Sequence, residues 1–371
     1  MKFTFKSFIV VVIFFATMIT SLRPDNIYVL CIFSVTTLFL LPFRKWWDGI
    51  CLSLFAFSLF YCFTQYMNET IGSGFVFIAT LLAPIAFYRF GRWVMEWLVY
   101  DNYRMWFLFA MVLCYLSPML LLTITDIQLG GFINESRELL GDILEDNLAA
   151  TLYGLMSSVG IGFVAALFAK QLKIGSKLLL VSISIIAMIT VLHLVNRTGI
   201  VEFGVCVLFS FLYSTKFQPS KAIYAILVLL VIVVVIRYSG ILGEDVVDAY
   251  MKREDGTEDL GGRSELWVQN FKNLLVEPFG WHRHKYAHNL WLDLAAVGGW
   301  LALVPFLIAT FKAIGCFIKV FRQQATPLNL IILTSFVSMF LGAMVEPVIE
   351  GSLLFFVLFI MNWGMLKSIS R

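Results

Sequence analysis

The sequence predicts an all-α polytopic membrane protein, and three observations carry that prediction. Of 371 residues, 60% are apolar and only 14% charged, where soluble globular domains carry about 45–50% and 25%. The apolar residues form long runs without alternation, such as Ile226–Ile236. In lipid only a helix satisfies every backbone group of such a run, whereas a barrel strand would alternate over about ten residues. The basic residues, finally, gather on alternate loops. The composition also excludes a disordered chain, a collagen and a disulfide-stapled secreted module.

Spans are expected at about 8–22, 27–43, 49–66, 72–88, 105–125, 149–169, 178–195, 199–215, 222–239, 288–311, 328–345 and 351–367. Twelve spans of about 20 residues need about 240 mostly apolar positions. The first run follows Lys2 and Lys6 as a signal peptide would, but no A-x-A cleavage site follows it. An uncleaved first helix is the expectation. The chain reads as one membrane domain.

Orientation follows the basic residues. With the N-terminus cytoplasmic, inner loops carry 17 of the 27 Lys and Arg and only three acids, Asp48, Glu96 and Asp101. Short outer loops carry only Arg23, Arg137 and Arg197. Both termini are then cytoplasmic. The six cysteines lie in or beside spans without CxxC spacing and read as small core residues.

Polar residues gather in a few outer places. Residues 126–148 are acidic. Residues 240–286 form the one long loop, which holds 15 of the 51 charges. Loops of that length are generally functional or disordered. Within it, Leu266, Trp267, Phe271, Leu274 and Leu275 fall on one helical face, and Pro278 and Gly280 end the helix. Gly261-Gly262 places Arg263 at or near its N-terminus, where free N–H groups and the positive dipole end favour an anion. A surface helix lying on the bilayer is the plainer reading of the same pattern.

A second polar spot is Asn196-Arg197-Thr198-Gly199, in a tight outer turn. Arg197 opposes the positive-inside trend, and a snorkelling arginine would explain it as well as a functional one. Glu202 follows inside a span. An intramembrane carboxylate is a functional candidate, and pairing with Arg197 is the quieter explanation. The third spot is Trp281–Asn289, which holds three of the four histidines. His284 and His288 have metal-ligand spacing, yet no cysteine or clear carboxylate completes a set, and Arg283 and Lys285 would repel a cation. A general base is the better reading of one of them. His193, alone near a span end, reads as structural.

Taken together, Asn196-Arg197-Thr198-Gly199, Gly261-Gly262-Arg263-Ser264-Glu265-Leu266-Trp267 and His288-Asn289-Leu290-Trp291-Leu292-Asp293 with Gly298-Gly299 resemble the bacterial O-antigen ligase and polymerase superfamily. The resemblance covers about residues 190–305. Members carry an Arg at each of the first two places and a His-Asn or His-Ser start to the third. A Gly follows, then another small residue or Tyr three positions on. Here Gly299 is in register and Ala302 holds the last position. Each motif is weak alone, and their order, spacing and shared outer location carry the likeness.

The resemblance implies a GT-C-like bundle with one long periplasmic loop. It implies transfer, with inversion, of a glycan from an undecaprenyl-pyrophosphate donor to an acceptor hydroxyl. That acceptor is a glycan or the lipid A core. No metal or other cofactor is implied. Expected partners are the bilayer, chain-length regulators and other assembly proteins, with no nucleic acid.

The chemistry of the residues agrees. No nucleotide sugar exists outside the membrane, so the donor must carry the energy. Lipid pyrophosphate gains negative charge as it leaves, and arginine forks bind such oxygens without ever deprotonating. Arg197 and Arg263 are assigned to the pyrophosphate and His288 to the acceptor proton. Asn289 and Asp293 would orient His288; Glu202, Arg283, Glu346 and Glu350 are secondary candidates. Polymerase is narrowly preferred over ligase. A transporter or flippase is the alternative from another class, against which stand the short central inner loop and the lack of evident broken helices with paired intramembrane charges. An intramembrane serine protease lacks its nucleophile turn.

Overall fold

A computed structural model describes residues 4–23, 25–41, 47–68, 73–134, 138–139, 148–216, 263–281, 287–346, 348–349 and 352–370, with positions 218 and 223. The described chain is helical: α1 (Phe5–Ile19), α2 (Asn26–Leu40), α3 (Gly49–Met67), α4 (Gly74–Trp97), α5 (Asp101–Gly130), α6 (Ala150–Ile161), α7 (Ile174–His193), α8 (Arg197–Ser214), α9 (Arg263–Val276), α10 (Leu290–Phe321), α11 (Pro327–Val345) and α12 (Leu353–Ile369). A 3-10 turn over Gly162–Phe168 extends α6. Two-residue strands, β1 (Glu138–Leu139) and β2 (Leu148–Ala149), pair antiparallel at the edges of the acidic segment.

Eight of the described helices are long and apolar enough to cross a membrane. Three others, α1, α2 and α12, are apolar but only 15, 15 and 17 residues long. At 1.5 Å per residue, 15 residues reach about 22 Å of a hydrocarbon core of about 30 Å. The chain is therefore an all-α, multi-pass membrane protein. Apart from position 223, the expected ninth span, 222–239, lies outside the described residues.

The helices form two compact units, each discontinuous in sequence. Unit 1 comprises Met1–Tyr115, Gly262–Gln323 and Ala343–Arg371; unit 2 comprises Leu116–Gly261 and Gln324–Gly342. Lipid is as apolar as leucine, so close approach of small residues and shared hydroxyls do much of the holding in such bundles. In unit 1, α4 and α12 meet at Gly91 and Gly364, where an added Cβ would strike the Met361 and Tyr88 carbonyls. Phe57, Phe306, Phe356 and Trp363 pack α3, α10 and α12 together. The three acids expected inside all meet arginines. Asp48 caps α3 and binds Arg92 (2.8 Å) and the Tyr88 hydroxyl (2.7 Å), Glu96 lies 3.7 Å from Arg92, and Asp101 lies 2.8 Å from Arg104.

Unit 2 is held by small polar residues. The Ser184 hydroxyl donates to the Gly160 and Ile161 carbonyls, and the hydroxyls of Thr123 and Thr190 bond one another, as do those of Ser210 and Thr334. All six cysteines lie within helices, and five are buried.

One helix corrects the sequence reading. Broken helices with paired intramembrane charges are not evident in the sequence, yet α10 does break at Gly299 (φ 54°, ψ −154°). The break separates the Trp300 N–H from the Ala296 carbonyl, which a continuous helix would pair. Both groups find substitutes in the loop after α9. Trp300 N–H donates to the Pro278 carbonyl (2.8 Å), and Trp281 N–H donates to the Ala296 carbonyl (2.9 Å). Glycine is needed at this crossing, because a Cβ at Gly299 would strike the Pro278 carbonyl. The Gly-Gly pair thus serves a backbone contact that periodicity does not reveal.

Candidate functional site

The site in unit 1 is built where α9 docks on α10. Leu274, Trp281, Ala295 and Leu303 form a buried cluster there, with Trp291, Ala296 and Leu307 packed against it. Burying a side chain such as Leu274 contributes about 1.5–3 kcal/mol. The expected apolar face of α9 is only half right. Leu274 is buried and Leu266 and Trp267 are half-buried, but Phe271 and Leu275 are exposed beside Val268. The face on α10 includes buried Asn270 instead, whose amide donates to its own helix at the Leu266 carbonyl.

The described part of α9 runs from Arg263 to Val276. One turn on from Arg263, the Trp267 indole N–H donates to the Ala287 carbonyl (2.7 Å). Positions 263 and 267 share a helix face, about 6 Å apart. The backbone of the Arg263 motif is thereby stapled to the residue before His288.

His288 itself is held in an uncommon conformation, with φ +52°. A non-glycine residue there costs about 1–3 kcal/mol and persists only when its surroundings over-determine it. The surroundings are visible. The buried Asp293 carboxylate accepts from the N–H on each side of His288, from Ala287 (2.7 Å) and from Asn289 (3.2 Å). Asn289 caps α10 by accepting from the Trp291 and Leu292 N–H groups, and its amide donates to the Met344 carbonyl (3.2 Å). That last bond sets the end of α11 beside His288, where Nδ1 lies 3.8 Å from Glu346 Oε2. His288 is 31% exposed and Glu346 only 4% on their side chains.

Unit 2 holds the other two candidates. Arg197 is the first residue of α8, after a three-residue turn in which Val195 also has positive φ (+50°). Asn196 pins that turn: it accepts from the Gly199 N–H (3.0 Å) and donates to the Ala150 carbonyl (2.9 Å). Glu202 is buried in α8 and accepts a 2.5 Å hydrogen bond from the Ser158 hydroxyl. That length is typical of a charge-assisted O–H···O bond.

His193 is not the lone histidine the sequence suggests. It is fully buried, and its Nε2 lies 2.7 Å from Asp126 Oδ2 and its Nδ1 2.6 Å from the Phe132 carbonyl. Asn134 also donates to Asp126 (2.6 Å), and its N–H donates to the His193 carbonyl (2.9 Å). This network ties residues 132–134 to the end of α7, four residues before Arg197. Sequence reasoning missed it because Asp126 and His193 are 67 positions apart.

His288, Asn289, Asp293 and Glu346 are thus brought together, with the α9 backbone at Arg263 one turn from the staple. The Arg263 side chain, Arg283, Glu350, His284 and residues 224–262 lie outside the described residues. No group of three or more His, Cys, Asp or Glu able to hold a metal occurs among the described residues. Chemically, the arrangement can present one imidazole edge to a substrate, with a buried carboxylate behind the other. No protein-family model matches the chain, and no curated protein matches it either.

Proposed function

We propose that the protein is a membrane glycosyltransferase of the O-antigen ligase and polymerase type. It passes a glycan from undecaprenyl pyrophosphate to an acceptor hydroxyl at the periplasmic face of a bacterial inner membrane. The observation that carries this reading is the conformation of His288. This candidate base sits in a strained turn, bracketed by Asp293 and stapled to α9 through Trp267. Strain maintained at that expense is a mark of functional sites. His288 takes the acceptor proton, while Arg197 and Arg263 hold the pyrophosphate and stabilise its growing charge. Both termini are cytoplasmic, as the basic inner loops imply. Polymerase is preferred narrowly over ligase.

Transport is the second reading, and two features favour it: the broken helix α10 and the intramembrane Glu202. In transporters the unwound backbone coordinates the ion. In α10 the two freed groups are already occupied by Pro278 and Trp281, which favours the enzyme.

Gene deletion followed by gel analysis of surface glycans separates these readings. A polymerase leaves single attached repeat units, and a ligase leaves polymer accumulating on its carrier. Unchanged glycans sink both. Alanine at Arg197, Arg263 or His288 should each abolish transfer at normal protein levels; a fully active His288→Ala variant would remove it as the base.

A further inference from the structure

We infer that Glu346 is the positioning residue of His288: it fixes the neutral ring's proton on Nδ1 and so leaves Nε2 as the basic atom. The assignment of Nε2 as a base in glycosyl transfer rests on the function proposed above; the pairing itself does not.

Three observations converge on it. First, His288 Nδ1 is buried and has no hydrogen-bond partner among the described residues, although the ring as a whole is about a third exposed. Nε2 is then the ring nitrogen left to meet a substrate. A neutral imidazole has one donor and one acceptor nitrogen, and the environment of each decides the tautomer. Second, among the described residues the charged group facing Nδ1 is the buried Glu346 carboxylate, 3.8 Å away. Its field favours an N–H dipole, not a lone pair, on that nitrogen. The separation is long for a direct hydrogen bond, and such contacts often tighten only when substrate is bound. Third, the two groups are held in register. The Asn289 amide binds the Met344 carbonyl two residues before Glu346, and Asp293 fixes the peptide groups on both sides of His288.

In the proposed reaction the acceptor oxygen attacks the anomeric carbon and its proton passes to Nε2. The bond from that carbon to the pyrophosphate oxygen breaks, and its electron pair leaves with the lipid pyrophosphate. The ring becomes an imidazolium. Glu346 takes no proton; its negative charge balances the ring's new positive charge. A buried carboxylate in that place acts through His288 and touches no substrate.

The test uses the full chain, 15N-labelled at histidine, in lipid nanodiscs, with the His288 signal identified from a His288→Gln variant. Ring nitrogen shifts are expected to show the Nδ1–H tautomer for neutral His288. Glu346→Gln should raise the Nε2–H form several-fold, and Glu346→Asp should restore the Nδ1–H form. In transfer assays Glu346→Gln should lower kcat about tenfold or more, with KM for the lipid-linked donor within about twofold. It should have no further effect in a His288→Ala background. A wild-type ring protonated on Nε2, or a tautomer insensitive to Glu346→Gln, overturns the proposal. A Glu346-dependent Nδ1–H tautomer in a protein that transfers no glycan overturns the proposed function and leaves the pairing standing.

Discussion

The bracket around His288 makes a sharp prediction for Asp293→Ala. The substitution removes one acceptor serving two buried N–H groups, those of Ala287 and Asn289. A hydrogen bond to a charged acceptor contributes about 1.5–3 kcal/mol, so the pair is worth about 3–6 kcal/mol before relaxation. That sum exceeds the strain of about 1–3 kcal/mol stored in a left-handed residue, which is why the turn holds in the native protein. Without it the balance reverses, and His288 should relax toward negative φ. Each lost bond of about 1.5–3 kcal/mol should speed exchange of its amide about 10–150-fold, since 1.36 kcal/mol is a factor of ten. Hydrogen exchange with mass spectrometry on a peptide covering 287–289 measures this. The amides of α12, remote in sequence, serve as the internal control. Transfer activity should fall with the amide protection. Wild-type protection at Ala287 and Asn289 in Asp293→Ala would refute the bracket.

Two further outcomes follow from the backbone and the Asp126–His193 network. Gly299→Ala places a Cβ against the Pro278 carbonyl in a conformation almost confined to glycine, so it should destabilise the protein by about 1–3 kcal/mol or more. The loss should be seen as a lower Tm in detergent together with faster exchange at Trp281 and Trp300, and an unchanged Tm would count against the docking of the 278–281 loop. Asp126→Ala leaves a buried His193 ring nitrogen without its hydrogen-bond partner and should cost about 1–3 kcal/mol. Exchange at Asn134, whose N–H donates to the His193 carbonyl, reports it, and normal protection there would refute the network.

Much of the helical plan was legible in composition and run length, because lipid leaves the backbone no alternative to helix. Eleven of the twelve expected spans coincide with a described helix. A helix through Leu266–Leu275, ended near Pro278, was legible as well. What escaped the sequence has a common cause. The apolar face of α9 was misread because Asn270 satisfies its amide within its own helix and so can be buried, which periodicity cannot anticipate. The break at Gly299 was missed because its orphaned groups are met by a loop some 20 residues upstream. The Asp126–His193 pair and the Ser158–Glu202 bond join residues 67 and 44 positions apart.

The sequence by itself determined the medium and the inventory. Sixty per cent apolar residues in unbroken runs dictate membrane helices, and the few polar residues in the segments between them name the groups available for chemistry. Only the tertiary structure decided which of those groups act together. It set His288 in a left-handed turn, put the Asp293 carboxylate across both neighbouring peptides and brought Glu346 behind the ring. The reason is that covalent order fixes only what is near along the chain. A strained residue and a buried carboxylate are each unfavourable alone, and they become tolerable only when folding supplies their partners from distant helices.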